Sequence, residues 1–278
     1  MIRSIVHPTD LSSQGGPAFQ HALALALAAG PGAEFTILNA SGEPQRHAGW
    51  HRFPPVRKTL ERWQLLEPGS DKSRVYEELS IAVRKVALGR GRPLKAVLSF
   101  LEADPADLIV LGTEGRKGLP RWLEPSFAER LARSARTATL FVPRQAAGFV
   151  NPETGAVVLR RILVPIDRAP APQLAVDRAI GAAKLTTEGP CEIVVFHAGP
   201  EDRMPTTDLS AGGDANLSRM SSEGEPVQAI RDAVDRTKAD LIVMTTAGRH
   251  GILDALRGSV TEQVVRGATC PVLAVPEQ

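Results

Sequence analysis

The chain contains 278 residues, of which 43% are hydrophobic and 23% are charged, a balance typical of globular rather than disordered proteins. Its 33 Lys and Arg residues are nearly matched by 31 Asp and Glu residues, so no strong positive field favours nucleic acid as a partner. The length predicts two domains, each able to bury a core of its own.

The N-terminal region shows no pattern of export or membrane insertion. Residues 2–7 lead directly into a strand pattern, without the apolar region and cleavage site of a signal peptide. The Ala- and Leu-rich run over residues 22–29 is far shorter than the roughly 20 residues that cross a bilayer. The two cysteines, Cys191 and Cys270, fit buried, reduced thiols better than a disulfide framework. We therefore expect a cytoplasmic protein that engages neither a membrane nor nucleic acid.

The first half alternates short apolar runs with helical patterns. Residues 4–10 predict a strand, residues 19–29 a helix, and residues 35–39 a second strand. Parallel strands need a crossover, which this helix supplies, so the pattern predicts a βαβ unit. Residues 41–71 lack a period and predict a long connection or an insertion of short helices. The remaining predicted elements are a strand at 79–83, a helix at about 93–101, a strand at 108–111, a helix from Ser126 with Glu129 completing a capping box, and a strand at 139–142.

The second half repeats this plan after a hairpin. Residues 148–159 predict two short strands around an Asn-Pro-Glu-Thr-Gly turn, and hence a structured linker rather than a flexible tether. Residues 199–216 are rich in Asp, Ser and Gly and predict a mobile loop. The other predicted elements are strands at 162–167, 193–197 and 241–244, with helices over 174–183 and from about Pro226.

An internal repeat relates the two halves. The segment 107–118, which begins Asp-Leu-Ile-Val-Leu-Gly, reappears at 240–251 as Asp-Leu-Ile-Val-Met-Thr. The same offset of 133 residues relates Ser126 to Ser259, each of which opens a helical pattern. A constant offset over several landmarks indicates a tandem duplication.

The two copies differ in length before these landmarks. Asp10 and Asp167 follow the first strand of each half and are 157 residues apart, so the first half carries 24 extra residues. These residues fall most simply within 41–71. The insertion either packs on its own domain as a covering loop or forms a partner surface, and its candidate residues are Trp50, Arg52, Arg57, Lys58 and Trp63.

Polar residues and glycines gather where the predicted strands end. Open parallel sheets bind ligands in a crevice at the carboxyl ends of their strands. Gly248 permits close approach of the backbone, and Gly258 with Ser259 places free amides and a hydroxyl at a helix N-terminus, where the dipole favours phosphate. The residues expected at this edge are Pro165, Asp167, Ala198, Thr245, Gly248, Gly258, Ser259 and Val260 in the second half, with Asp10, Gly112, Gly115 and Ser126 in the first.

With two such loops, the sequence resembles the tandem form of the universal stress proteins over nearly the whole chain, apart from variable loops and the hairpin. ATP-binding members of that family carry Gly, two residues, Gly, nine residues, Gly and then Ser or Thr, and an Asp after the first strand meets the adenine. The resemblance implies two doubly wound, flavodoxin- or Rossmann-like α/β domains, each with a five-stranded parallel sheet. These would cover residues 1–146 and 159–278, joined by the linker at 147–158.

The resemblance also implies how the two domains meet. Members of the family commonly dimerise through their last strand, and an unpaired edge strand is a liability. The strands that end at Pro143 and Pro276 are therefore expected to pair as an intramolecular pseudo-dimer. Whether two chains then form a further homodimer stays open.

Neither half carries the complete nucleotide signature. In the first half Gly112 and Gly115 match, but Pro125 replaces the third glycine, and proline has no amide hydrogen to offer a phosphate. In the second half Thr245 replaces the first glycine, whereas the rest of the spacing is intact. An adenine nucleotide such as ATP is therefore expected mainly in the second half.

The leading interpretation is a stress-response regulatory protein that binds ATP or a related adenine nucleotide and acts through an unidentified protein partner. A slow ATP hydrolase or phosphoryl-transfer enzyme is one alternative, although the chain lacks a G-x-x-x-x-G-K-[ST] loop and a clear general base beside the glycines. A ligand-free interaction scaffold is another. No metal site is evident, because His47 and His51 have no Cys, Asp or Glu cluster to complete one.

Overall fold

The structure is a computed structural model that describes residues 2–11, 16–39, 53–89, 91–113, 127–146, 148–212, 215–246 and 259–277. Strands and helices alternate along both halves. The first half contains β1 (Ser4–Thr9), α1 (Gly16–Ala29), β2 (Glu34–Asn39), α2 (Val56–Arg62), α3 (Arg74–Leu79), β3 (Ala82–Ala87), α4 (Pro93–Ala103), β4 (Leu108–Thr113), α5 (Phe127–Ala135) and β5 (Ala138–Pro143). The second contains β6 (Arg161–Pro165), α6 (Pro172–Ala183), β7 (Glu192–His197), β8 (Asn216–Ser221), α7 (Pro226–Thr237), β9 (Leu241–Thr246), α8 (Val260–Gly267) and β10 (Val272–Pro276).

The strands of both halves lie in one sheet. Its order is β3-β2-β1-β4-β5-β10-β9-β6-β7-β8, so each half contributes five parallel strands with the same doubly wound order. The halves meet where β5 pairs with β10 in antiparallel fashion, with Leu140 opposite Leu273. This confirms the predicted fold class and the expected pairing of the two terminal strands. The sheet has its free edges at β3 and β8.

The two edge strands are where the sequence predictions were wrong. Residues 79–83 were expected to form a strand, but Leu79 ends α3, Ser80 takes the left-handed conformation at φ 53°, and β3 begins at Ala82. The apolar run therefore spans a helix end and a strand start. No strand was expected near 216–221, where β8 lies. An edge strand is only partly buried, so its polar sequence gave no apolar run to detect.

Apolar residues of both halves pack on both faces of the sheet. One face carries α1 and α6, and the other carries α4, α5, α7 and α8. Residues 148–159 form a hairpin with a bridge between Val150 and Val157, and its apolar side chains are buried with those of α1 and α6. The hairpin is thus part of the core shared by the two halves.

Polar contacts attach the hairpin to each half. On the first, Trp63 donates its indole N–H to the carbonyl of Pro152 at 3.0 Å, and the amide of Phe149 donates to His21 Nε2 at 3.2 Å. On the second, Thr187 donates its amide to the carbonyl of Val157 at 2.9 Å. Because hydrogen bonds on both sides fix its backbone, the hairpin holds the halves in one arrangement.

Two ion pairs join α5 to α8, and the duplication makes them equivalent contacts. Arg266 donates to both carboxylate oxygens of Glu129, at 2.9 and 3.0 Å, and Arg133 pairs with Glu262. The members of the first pair are separated from those of the second by the same 133 residues that relate the glycine loops. Reciprocal contacts of this kind are the mark of a two-fold interface, here formed within one chain.

We expect Arg266→Met to lower the free energy of unfolding by about 2 kcal/mol, because it removes two charge-assisted hydrogen bonds from the buried carboxylate of Glu129. Arg133→Met is the matched control, since Arg133 is more exposed and Glu262 is less buried than Glu129. It should cost well under 1 kcal/mol. Guanidinium unfolding of both variants measures the difference, and an equal loss would contradict the assigned importance of the Glu129 pair.

Candidate functional site

Each half has a crevice where its strand order reverses. β1 pairs with β4 at only two positions, Ile5 with Leu108 and Val6 with Ile109, although both strands continue beyond them. β6 and β9 likewise pair only near their starts. By contrast, β1 and β2 pair over six residues. The central strands therefore part toward their carboxyl ends, which is the place where doubly wound sheets hold ligands.

In the second half, β6 delivers Asp167 to this edge. Pro165 is the buried last residue of β6, and Asp167 is exposed two residues later. The backbone between them is fixed, because the amide of Ile166 donates to the carbonyl of Phe196 at 2.8 Å and His197 Nδ1 bonds to the carbonyl of Ile166 at 3.2 Å. A side chain at the surface on a fixed backbone suits recognition of a ligand.

Ala198 follows β7 at the same edge and is partly buried. The next residue, Gly199, has no room for a larger side chain, since a Cβ there would lie 2.7 Å from His197 Nε2. His197 therefore packs between the ends of β6 and β7.

Thr245 ties the β6–α6 loop to the end of β9. Its side chain is 8% exposed, and its hydroxyl donates to the carbonyl of Pro170 at 3.2 Å. One strand further, the amide of Ala171 donates to the Glu277 carboxylate at 3.2 Å. The loop that carries Asp167 is thus bonded to the ends of β9 and β10. Glu277 gave no signal in the sequence, because it belongs to no motif.

Ser259 opens the helix that follows this edge. It is the N-cap of α8, and its hydroxyl oxygen accepts from the amide of Glu262 at 3.2 Å. Val260 is the first helical residue and is 38% exposed. The first amides of a helix have no partner within it and point toward any anion placed there. Gly248 and Gly258 lie outside the described residues.

The first half presents a sparser set. Asp10 follows β1 and is exposed, as Asp167 is after β6. Gly112 lies within β4, where an added Cβ would meet Ala18 Cβ at an ordinary 3.6 Å, so local packing does not require glycine there. Gly115, Pro125 and Ser126 lie outside the described residues. The capping box predicted from Ser126 falls there too, whereas the Glu129 carboxylate accepts from Arg266.

Burial shifts the pKa of two histidines and of both cysteines. Burial lowers the pKa of His7 and of His21 to about 4. It raises the pKa of Cys191 to about 11 and of Cys270 to about 12, which makes both thiols poor nucleophiles. Within the described ranges, no group of three His, Cys, Asp or Glu side chains is placed to hold a metal. No helix in those ranges is long and apolar enough to cross a membrane.

Comparison with known proteins decides the family. The model of the universal stress protein family matches residues 1–143 and 206–276. The chain belongs to the universal stress protein family. The two matched regions follow the duplication, which makes this a tandem member.

Its relatives include both tandem and shorter members of the family. A universal stress protein of Mycobacterium tuberculosis is 27% identical over 249 residues, covering 80% of this chain and 81% of the relative. A universal stress protein of Methanocaldococcus jannaschii is 29% identical over 143 residues, covering 44% of this chain and 84% of the relative. The crystal structure of a universal stress protein from Archaeoglobus fulgidus aligns with a TM-score of 0.65 at 17% identity, covering 99% of this chain and 96% of the other. That similarity supports the fold.

Proposed function

We propose that this universal stress protein is a stress-response regulator that binds an adenine nucleotide, ATP or a close relative, in the crevice of its second half. It acts in the cytoplasm through a protein partner rather than as a catalyst. The observation that carries the proposal is the parting of β6 and β9 toward their carboxyl ends, with Asp167 after one strand and the start of α8 after the other.

The chemistry of the described residues supports this ligand class. Asp167 offers an exposed carboxylate to the amino group of an adenine, and its Oδ1 already accepts from the amide of Arg168 at 2.7 Å. The first amides of α8 and the positive end of its dipole suit a phosphate. Thr245, in the place of the first signature glycine, bonds to the loop and so forms a wall of the crevice.

The duplication supplies a matched pair of variants for the test. Asp167→Ala should weaken ATP binding at least tenfold, which is about 1.4 kcal/mol, because it removes the proposed adenine contact. Asp10→Ala makes the same change at the equivalent position of the first half and should leave the affinity unchanged. Isothermal titration of the full chain with ATP measures both. An effect confined to Asp10→Ala would place the nucleotide in the first half and overturn the proposal.

The two alternatives have distinct signatures. An ATP hydrolase or phosphoryl-transfer enzyme predicts phosphate release that rises in proportion to protein concentration. A scaffold without ligand predicts that millimolar ATP leaves the melting temperature unchanged, since only a ligand that binds the native state raises it. The proposed regulator predicts a raised melting temperature without proportional phosphate release.

A further inference from the structure

The segment between β2 and β3 forms one wall of an open cleft at the β3 edge of the sheet. The cleft has a volume of about 680 Å³ and lies between β3 on one side and α2 and α3 on the other. Its apolar lining is formed by Val56, Val75, Ile81 and Val83. Cavities of this size hold small organic ligands. None of the described residues of the proposed nucleotide crevice lines it.

The polar lining of the cleft is basic. It includes Arg57, Lys58, Lys72 and Lys85, and none of the described residues that line the cavity is acidic. Asp71 lies beside this group: its carboxylate accepts from the amide of Ser73 at 3.0 Å, and its pKa is lowered first by that hydrogen bond and to a smaller extent by the charges of Arg57 and Lys72. Four cations that share one concave surface attract an anion more strongly than the same charges spread over a convex one.

Lys85 is the cation of the group that lies on the sheet. It projects from β3 with its ammonium group 5.8 Å from the centre of the Phe53 ring, and no carboxylate in the described part of the chain pairs with it. Partial burial and the nearby Arg57 both lower the pKa of Lys85, in that order of size. A bound anion would relieve both effects, because it would replace lost hydration and offset the repulsion from Arg57.

In the second half, the residue equivalent to Lys85 is hydrogen-bonded to a preceding segment of the chain itself. β8 pairs with β7 in the register that β3 uses with β2, so Lys85 corresponds to Arg219. Arg219 donates to the carbonyl of Thr207 at 2.8 Å, and Leu217 packs so closely on Gly212 that a Cβ there would lie 2.0 Å from it. In that half the segment before β8 fills the face and satisfies the cation. In the first half the equivalent face is an open basic cleft.

We propose that this cleft is a second ligand site, which binds a small organic phosphate through its cations and packs the apolar body of that ligand against the valines and Ile81. A phosphate carries close to two negative charges and accepts several hydrogen bonds, which matches a lysine and arginine cluster. The apolar wall adds affinity in proportion to the surface that the ligand buries. A free phosphate ion, without an apolar body, should therefore bind much more weakly.

Tyr76 provides a direct reporter of the cleft. It lines the cavity, is 65% exposed, and is the one tyrosine in the sequence, so 3-fluorotyrosine labelling gives a single fluorine resonance. Titration with phenyl phosphate should move this resonance in a saturable way. Inorganic phosphate and phenol, which carry only the anion or only the apolar body, should move it at concentrations at least tenfold higher. ATP at a concentration that just saturates the second-half crevice should leave the signal in place, so failure of either site is seen separately.

Two lysine variants with the same change in net charge complete the test. Lys85→Met should weaken phenyl phosphate binding at least tenfold, whereas Lys95→Met, on α4 at the opposite face of the sheet, should not change it. An unmoved fluorine signal at millimolar phenyl phosphate would overturn the proposal. Equal affinities of the two variants would also overturn it, as would a signal that responds to an acidic peptide but not to phenyl phosphate.

Discussion

Replacing Gly155 by alanine should lower the free energy of unfolding by about 3 to 6 kcal/mol. Gly155 lies in the turn of the hairpin linker at φ +72°, where a residue with a side chain costs about 1 to 2 kcal/mol. An added Cβ would also lie 2.3 Å from the Trp63 ring, and overpacking of this kind costs about 1 to 3 kcal/mol. Displacing the ring would break the hydrogen bond from Trp63 to Pro152, worth about another 1 kcal/mol.

Gly189→Ala separates these contributions. Gly189 has a similar φ of +65°, but an added Cβ there meets nothing within 4 Å, so only the backbone cost of about 1 to 2 kcal/mol should appear. Guanidinium unfolding followed by circular dichroism measures both variants. If Gly155→Ala costs no more than Gly189→Ala, the hairpin is not held by Trp63. In a Trp63→Leu background the two losses should become similar, because the obstructing ring is gone.

The interior of the fold was predictable because burial leaves a continuous apolar signal. Residues 108–111 and 241–244 form buried strands in the positions that the sequence predicted. β3 was misplaced and β8 was missed because an edge strand buries only part of its surface and alternates weakly. The antiparallel contact of β5 with β10 was predicted from the repeat and the family resemblance, since no local pattern encodes a partner more than 100 residues away.

Some features of the candidate site were predictable from the sequence and others were not. The sequence identified Asp167, Thr245 and Ser259 by spacing, and these residues follow or end strands at the crevice edge, or cap the helix after it. It did not predict that Thr245 donates to Pro170, because that bond depends on how the β6–α6 loop folds over β9. The basic cleft was visible only as an unassigned set of cations, including Arg57 and Lys58. Their shared concavity arises from the packing of α2 and α3 against β3.

Lowering the pH from 6.5 to 4 should remove about 3 kcal/mol of stability for each of two buried histidines. Burial lowers the pKa of His7 and His21 from 6.5 to about 4, against smaller opposing effects of their backbone hydrogen bonds and, for His7, of Asp10. Between these pH values the two histidines are protonated in the unfolded chain and largely neutral in the native state. The stability that the neutral rings contribute is therefore present above pH 6.5 and is lost as the pH falls toward 4.

The hydrogen bonds of His21 show why its native ring must be neutral. Its Nε2 accepts from the amide of Phe149, so the ring proton lies on Nδ1, which donates to the carbonyl of Pro17 at 2.7 Å. A protonated ring would place a hydrogen on Nε2 against the amide hydrogen of Phe149. The ring also stands edge-on to Phe149, with centroids 4.6 Å apart, and fills the space beside Gly148. Protonation of His21 therefore opposes the contact between α1 and the hairpin that joins the two halves.

The slope of the unfolding free energy against pH separates the titration of His21 from the general loss of stability that its replacement causes. His21→Leu lowers stability at every pH. It also reduces, by up to one, the number of protons that the unfolded state binds in excess of the native state. Between pH 5 and 6 the slope of the unfolding free energy should fall by up to about 1.4 kcal/mol per pH unit relative to the unchanged protein. Urea unfolding at several pH values in this window gives both slopes. Parallel lines for the two proteins would show that His21 titrates alike in both states, and the neutral contact between α1 and the hairpin would then contribute no pH dependence.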